Sequence, residues 1–262
     1  LASGAVLDVV RGETRAHDEG YVDITEPAGT RRVRLPTYRM PQVPKVSAGY
    51  CAGPGMDLID LFIGSEGTLG VIVEATLRTR PHRPELCLVF ATFRDRHAAV
   101  ACVGALREEA RRAWEAPDAA GLDVAAVEHM DARSLAVLRE DGVDRRLGVA
   151  LPGDAAIGLL ITVELPPGTT SEATYRALAG EAPQGRLGGL TRLVSILERF
   201  DADADAQVAA PGDTAAAERL LALREAVPLG VNRRDGDARR LVDPRIEKTA
   251  AGTIVPFAHV AT

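Results

Sequence analysis

The residues best suited to chemistry in this sequence lie in one short run, Gly64-Ser-Glu-Gly-Thr-Leu-Gly70. Glycines on either side of Thr68 and Leu69 let the backbone come close to a ligand, because no β-carbon stands in the way. The exposed N–H groups of such a turn form a concave donor surface, and Thr68 adds a hydroxyl. A flat, multiply hydrogen-bonding cofactor or a phosphate suits that surface. A plain glycine turn has the same sequence, and a short glycine pattern alone does not separate the two.

A second candidate is Leu223-Arg-Glu-Ala-Val-Pro228, followed twenty residues later by Lys248. An arginine on a helix beside an apolar patch suits a bidentate carboxylate clamp. A solvated arginine on a surface helix fits the same residues. Glu128 and Asp131 read as a strand-end group and a helix cap. His129 has no second histidine at metal-ligand spacing, so it reads as a surface or packing residue, and no metal site is expected. Cys51, Cys87 and Cys102 form no CxxC pairs, so neither zinc nor a disulfide framework is indicated. They read as reduced, buried thiols of a cytoplasmic protein.

The elements that must position these residues fall into two parts. Residues 1–80 read as strand and turn. Ala5–Val10 is an expected strand, and the many prolines and glycines of 26–57 indicate irregular loops. Apolar residues at 58, 59, 62 and 63 have helical spacing, and β-branched Val71-Ile-Val-Glu-Ala-Thr-Leu77 reads as a strand. Pro81 and Pro84 then mark a boundary.

From residue 85 to 262 strand and helix alternate. Leu86–Ala91, Val124–Glu128 and Ala156–Glu164 read as strands. Residues 95–113 are helical, and Asp131 caps a helix running to Glu140. Residues 170–183, 188–200 and 214–227 read as helices or helix–strand mixtures. The Ala/Asp-rich stretch 201–210 and the charged stretch Arg233–Arg240 read as loops. The pattern is that of an α+β sandwich.

Composition narrows the classes of partner. The 262 residues are 46% hydrophobic and 26% charged, as in an ordinary globular protein. A net charge of −6 and a pI near 5.5 speak against a nucleic-acid binder. No apolar run approaches the ~20 residues that span a bilayer, which leaves peripheral membrane association open. Lys45 and Lys248 are the only lysines; the remaining basic residues are arginines.

The run Lys45-Val-Ser-Ala-Gly-Tyr50, then Met56-Asp-Leu-Ile-Asp-Leu-Phe-Ile-Gly-Ser-Glu-Gly-Thr-Leu-Gly-Val-Ile-Val-Glu74, resembles the FAD-binding domain of the vanillyl-alcohol-oxidase/PCMH flavoprotein family. It is most similar to the branch holding D-lactate dehydrogenase, the FAD subunit of glycolate oxidase and D-2-hydroxyglutarate dehydrogenase, with alkyldihydroxyacetonephosphate synthase. Val46 departs from the pattern, since the family often has Asn after the lysine. Val127-Glu-His-Met-Asp131 looks like the acidic segment that opens a helix in the family's C-terminal cap domain.

The resemblance implies that residues 1–80 are the second half of a PCMH-type FAD-binding domain. Residues 85–262 would be part of an α+β, ferredoxin-like cap domain. It implies FAD contacts at Glu66, Gly67, Thr68, Leu69, Gly70, Val71 and Ile72. It makes Arg224 the anchor of a substrate carboxylate and Lys248 a second contact to the substrate's polar end. The implied reaction oxidises a small 2-hydroxy acid by hydride transfer to the flavin, with electrons passed on to an unidentified acceptor. A flavin-dependent synthase or alcohol oxidase of the same superfamily, or a non-catalytic remnant, are the alternatives. The family's pyrophosphate-binding glycine loop and its His-x-Gly-Asp-Gly-Asn-type segment have no counterpart in this sequence. The chain is therefore expected to be an internal piece of a longer protein, with the proton-abstracting histidine outside it.

Overall fold

The computed structural model describes residues 1–26, 29–41, 49–79, 84–116, 121–181 and 187–248, with Val255 and Phe257. Helical and alternating apolar spacing account for most of its elements. Its architecture is α+β, with small antiparallel sheets. The chain divides into two units. One is Leu1–Thr79 with Ala251–Val260 and Thr262, and the other is Arg80–Ala250 with Ala261.

In the first unit, strands β1 (Tyr21–Glu26) and β2 (Gly29–Arg34) form an antiparallel hairpin with Val22 opposite Val33. Val22 and Ile24 alternate inward and meet Ala16, Leu35, Leu58 and Leu61 in a small core. Helix α1 (Leu58–Phe62) contributes its two buried leucines, and the Asp57 carboxylate caps it by accepting from the Ile59 N–H at 3.1 Å. Strand β2 lies where the proline and glycine content indicates loops. Those residues cluster elsewhere in the stretch, and Gly29-Thr-Arg-Arg-Val-Arg34 carries only Gly29, at its first position.

Two expected strands are not strands. Ala5–Val10 and Val71–Leu77 pair with no neighbour among the described residues. A strand exists only through a partner that takes up its N–H and C=O groups. Val71, Ile72, Val73 and Leu77 are 81%, 64%, 82% and 78% exposed, so this β-branched run covers nothing.

The second unit is a four-stranded antiparallel sheet in the order β4-β5-β3-β6, from β3 (Glu85–Phe93), β4 (Val124–Met130), β5 (Ile157–Leu165) and β6 (Gln207–Ala209). Successive strand residues point to opposite faces, and β3 divides its buried side chains accordingly. Cys87, Val89, Ala91 and Phe93 face helices α2 (Arg96–Glu115), α5 (Ser171–Leu178) and α6 (Gly188–Arg199). Leu88 and Phe90 face helices α3 (Ala132–Glu140), α4 (Val143–Leu147) and α7 (Thr214–Leu241). A sheet buried on both faces requires such continuous apolar strands. Asp131 caps α3 as expected, accepting from the Ser134 N–H at 2.7 Å.

Two further sequence expectations need correction here. Strand β6 lies inside the Ala/Asp-rich stretch expected to be a loop. Helix α7 continues past Pro228 to Leu241, so the charged stretch from Arg233 to Arg240 is helical rather than looped. Its second half is tied to the end of α3, because Arg234 donates to Asp141 at 3.0 Å and Glu140 at 2.7 Å. The proline lacks one N–H, and the ion pairs beyond it hold the helical course. Among the described residues no helix is long and apolar enough to cross a membrane.

Candidate functional site

The glycine-rich turn leaves α1 at Gly64 and reverses the chain within four residues. Gly64, Glu66 and Gly67 have φ of 79°, 50° and 78°. A left-handed glutamate is uncommon, and here it sits between two glycines that take the same conformation freely. Leu69 packs against the core of the first unit, while Glu66, Gly67 and Thr68 are exposed. A β-carbon built at Gly64 or Gly67 meets nothing within 4 Å, so the backbone here has open space before it.

Hydrogen bonds fix the turn from within. The Thr68 N–H donates to the Ser65 carbonyl at 3.0 Å, and the Thr68 hydroxyl donates to the same oxygen at 2.6 Å. Among the described residues, the N–H groups of Glu66, Gly67, Leu69 and Gly70 have no protein acceptor. These donors and the exposed backbone suit a flat ligand with acceptor atoms on its edge, and the residues fit a flavin on that ground. Gly70 is more enclosed, since its β-carbon would lie 3.6 Å from the Leu1 backbone. Val71 and Ile72 follow with exposed side chains. Lys45 and Val46, at the head of the resembling run, lie outside the described residues.

Two tyrosines join this turn without any role assigned to them by the sequence. The Tyr50 hydroxyl lies 2.7 Å from Thr68 Oγ1, across 18 residues of chain. The Tyr38 hydroxyl in turn donates to the Tyr50 carbonyl. Tyr50 stands in the resembling run, but no spacing rule connects it to Thr68. The link is made by tertiary packing around the first unit's core, against which Tyr50 lies.

The turn depends on the helix before it, and that helix depends on Asp57. This buried carboxylate accepts from the Gly12 N–H at 2.5 Å and from the Ile59 N–H. The Gly12 bond, then the Ile59 bond and the charges of Arg11 and Arg15, hold it below the usual aspartate range. A depressed carboxylate stabilises the fold above its unfolded pKa of about 3.9, and the contribution is lost as pH falls through its folded pKa. Asp57→Asn is therefore expected to lower the melting temperature most at neutral pH. The gap from wild type should close as the pH falls below that range, where both side chains are neutral. Thermal melts by circular dichroism across pH check this, and a gap independent of pH would sink it.

Arg224 and Lys248 belong to the second unit. Arg224, on α7, donates to Glu128 of β4 at 3.0 Å and also to Glu225. These partners, Glu225 first, raise its pKa above the ordinary arginine value. The guanidinium is about one-third exposed, so a ligand can reach it, but both terminal nitrogens already hold carboxylates. Glu128 is thus a partner of Arg224 as well as a strand residue. Lys248 donates to Asn232 Oδ1 at 2.5 Å. Asn232 lies eight residues beyond Arg224 on α7, roughly 12 Å along the helix axis. The structure does not bring Arg224 and Lys248 together at the scale of a small hydroxy acid.

Among the described residues no cluster of His, Cys, Asp or Glu is arranged to hold a metal, and His129 is exposed on β4. The three cysteines are free. Burial pushes the thiols of Cys87 and Cys102 up to about 12, which keeps them protonated and inert. Set against protein-family models and against curated proteins, the chain matches none of them.

Proposed function

We propose that this chain is part of an FAD-dependent oxidoreductase that oxidises a small 2-hydroxy acid, with D-lactate and glycolate as the reference substrates. In this reading the first unit is the second half of a PCMH-type FAD-binding domain. The second unit is part of a ferredoxin-like cap. The observation that carries the proposal is the turn from Gly64 to Gly70. It combines left-handed backbone at Gly64, Glu66 and Gly67, open space beside Gly64 and Gly67, and N–H groups with no acceptor among the described residues, in the run that carries the family resemblance. The strand order β4-β5-β3-β6 supports the cap assignment, since it is the order of the split β-α-β fold.

When bound, the flavin supplies a two-electron acceptor for the hydride of the hydroxyl-bearing carbon. The turn's backbone orients it, and Arg224 holds the substrate carboxylate. To do so Arg224 must exchange Glu128 or Glu225 for the substrate, two like-for-like carboxylate bonds at a partly exposed guanidinium. The free thiols support a cytoplasmic setting.

The test is anaerobic mixing of the flavin-loaded product of the full reading frame with D-lactate, glycolate and D-2-hydroxyglutarate. Bleaching of the flavin absorbance by one of them is expected, and a colourless protein or an unbleached flavin counts against the proposal. Arg224→Lys should then lower kcat/KM on the hydroxy acid by about one to two orders of magnitude, since an ammonium cannot replace a two-pronged guanidinium. The uncharged alcohol analogue should be little affected. An equal loss on both substrates would leave Arg224 a purely structural partner of Glu128. The existing pairing of Arg224 favours a second reading, a flavin-dependent synthase or alcohol oxidase of the same superfamily, and product analysis separates the two.

A further inference from the structure

We infer that the Ser65 carbonyl and the Tyr50 hydroxyl together leave Thr68 a single lone pair, so that the turn takes a flavin by the N3–H of its pyrimidine edge. The inference rests on the flavin reading and deepens it. A threonine hydroxyl has one hydrogen and two lone pairs. The Ser65 carbonyl, 2.6 Å from Thr68 Oγ1, can only accept, so it takes that hydrogen. The bond between Tyr50 and Thr68 must then run from the tyrosine to the threonine. Both hydroxyls have spent their hydrogens on protein acceptors. What remains at Thr68 is one lone pair, which can only accept from a ligand.

Chain neighbours of Thr68 present the opposite sense. The N–H groups of Gly67 and Leu69 have no acceptor among the described residues. Gly67 N–H, the remaining Thr68 lone pair and Leu69 N–H thus stand in succession as donor, acceptor and donor, with the further N–H groups of Glu66 and Gly70 on either side. The pyrimidine edge of an isoalloxazine presents O4, N3–H and O2, which is acceptor, donor, acceptor. The two patterns are complementary, whereas the pyrophosphate of FAD, a fully ionised diester at neutral pH, has no donor for the Thr68 lone pair. Tyr50 is a positioning residue here. It touches Thr68 rather than the ligand, and its own backbone is held by the Tyr38 hydroxyl.

The experiment uses the product of the full reading frame loaded with 15N-labelled FAD. It reads the dissociation constant by fluorescence quenching and the position of the N3–H resonance by NMR. Thr68→Val is expected to weaken binding about threefold to tenfold, the scale of one hydrogen bond, and Tyr50→Phe, which keeps the Thr68 hydroxyl but no longer holds it in place, to weaken it less. Each should also move the N3–H resonance toward that of free FAD. Thr68→Ser, which keeps the hydroxyl, should retain both. If Tyr50→Phe fails to fold by circular dichroism, the Thr68→Val and Thr68→Ser pair carries the same test. An N3–H resonance that stays put in Thr68→Val overturns the inference, because Thr68 would then serve a ribityl hydroxyl or the turn alone. Wild-type protein that takes up no FAD overturns the flavin reading and this inference with it.

Discussion

Phe90→Ala should destabilise the second unit by about 3–5 kcal/mol, the range for removing a fully buried aromatic from a core. Phe90 is wholly buried on the sheet face that packs against α3 and α7. Its ring also covers Gly158 on the neighbouring strand. A β-carbon at Gly158 would lie 3.0 Å from ring atoms Cε2 and Cζ and 3.2 Å from Leu135 Cδ2. A glycine inside a strand has no side chain to pack and weakens its ladder, and an aromatic laid over it restores the covering. The pair therefore predicts more than one number. Gly158→Val alone should cost about 1–3 kcal/mol through overpacking against the ring. In a Phe90→Leu background the same substitution should cost clearly less, since the space it needs has been vacated. Urea unfolding followed through Trp114, the sole tryptophan and a residue of α2 in the same unit, measures both. Strictly additive costs would mean that the ring and the glycine do not share that space.

The second unit was the part of this fold most open to sequence reasoning. Leu86-Cys-Leu-Val-Phe-Ala91 is apolar on both parities, which demands a strand covered on two sides, and β3 is such a strand. Asp131 announced the start of α3 through cap chemistry alone. The failures share a cause: a partner that local pattern does not encode. Val71–Leu77 has the composition of a buried strand, yet strandhood belongs to a pair and no neighbour pairs with it among the described residues. Helix α7 outlasts Pro228 because Arg234 finds Asp141 and Glu140 some ninety residues earlier in the chain. At the candidate site the same division holds. The glycines of the 64–70 turn were legible, because left-handed backbone needs them. The Tyr50–Thr68 bond and the occupation of Arg224 by Glu128 were not, since each joins residues through tertiary contact. A charge on a helix reads identically whether it faces water, a ligand or another carboxylate.

Gly67→Val should abolish flavin retention, and comparison with Gly67→Asn tells why. Gly67 has φ of 78°, a region in which a β-branched side chain is a genuine outlier, whereas asparagine tolerates it. The space around it is open, so neither substitution clashes within the chain. Valine must therefore either strain the turn by about 1–2 kcal/mol or shift it, and with it the N–H groups of Gly67 and Leu69. Asparagine keeps the backbone conformation and adds only a side chain pointing into the open space. If the flavin lies directly against the backbone, that side chain occupies the flavin's place, and both variants should purify colourless, with melting temperatures near that of flavin-free wild type for Asn and modestly below it for Val. If Gly67→Asn retains flavin and Gly67→Val does not, conformation alone explains the glycine and the ligand stands farther off. Full occupancy in both variants, read from the ratio of flavin to protein absorbance, would remove the turn from the binding site altogether. The expected result is the first, because two left-handed glycines, N–H groups with no acceptor among the described residues and a hydroxyl with only a lone pair to offer converge on one exposed stretch of backbone.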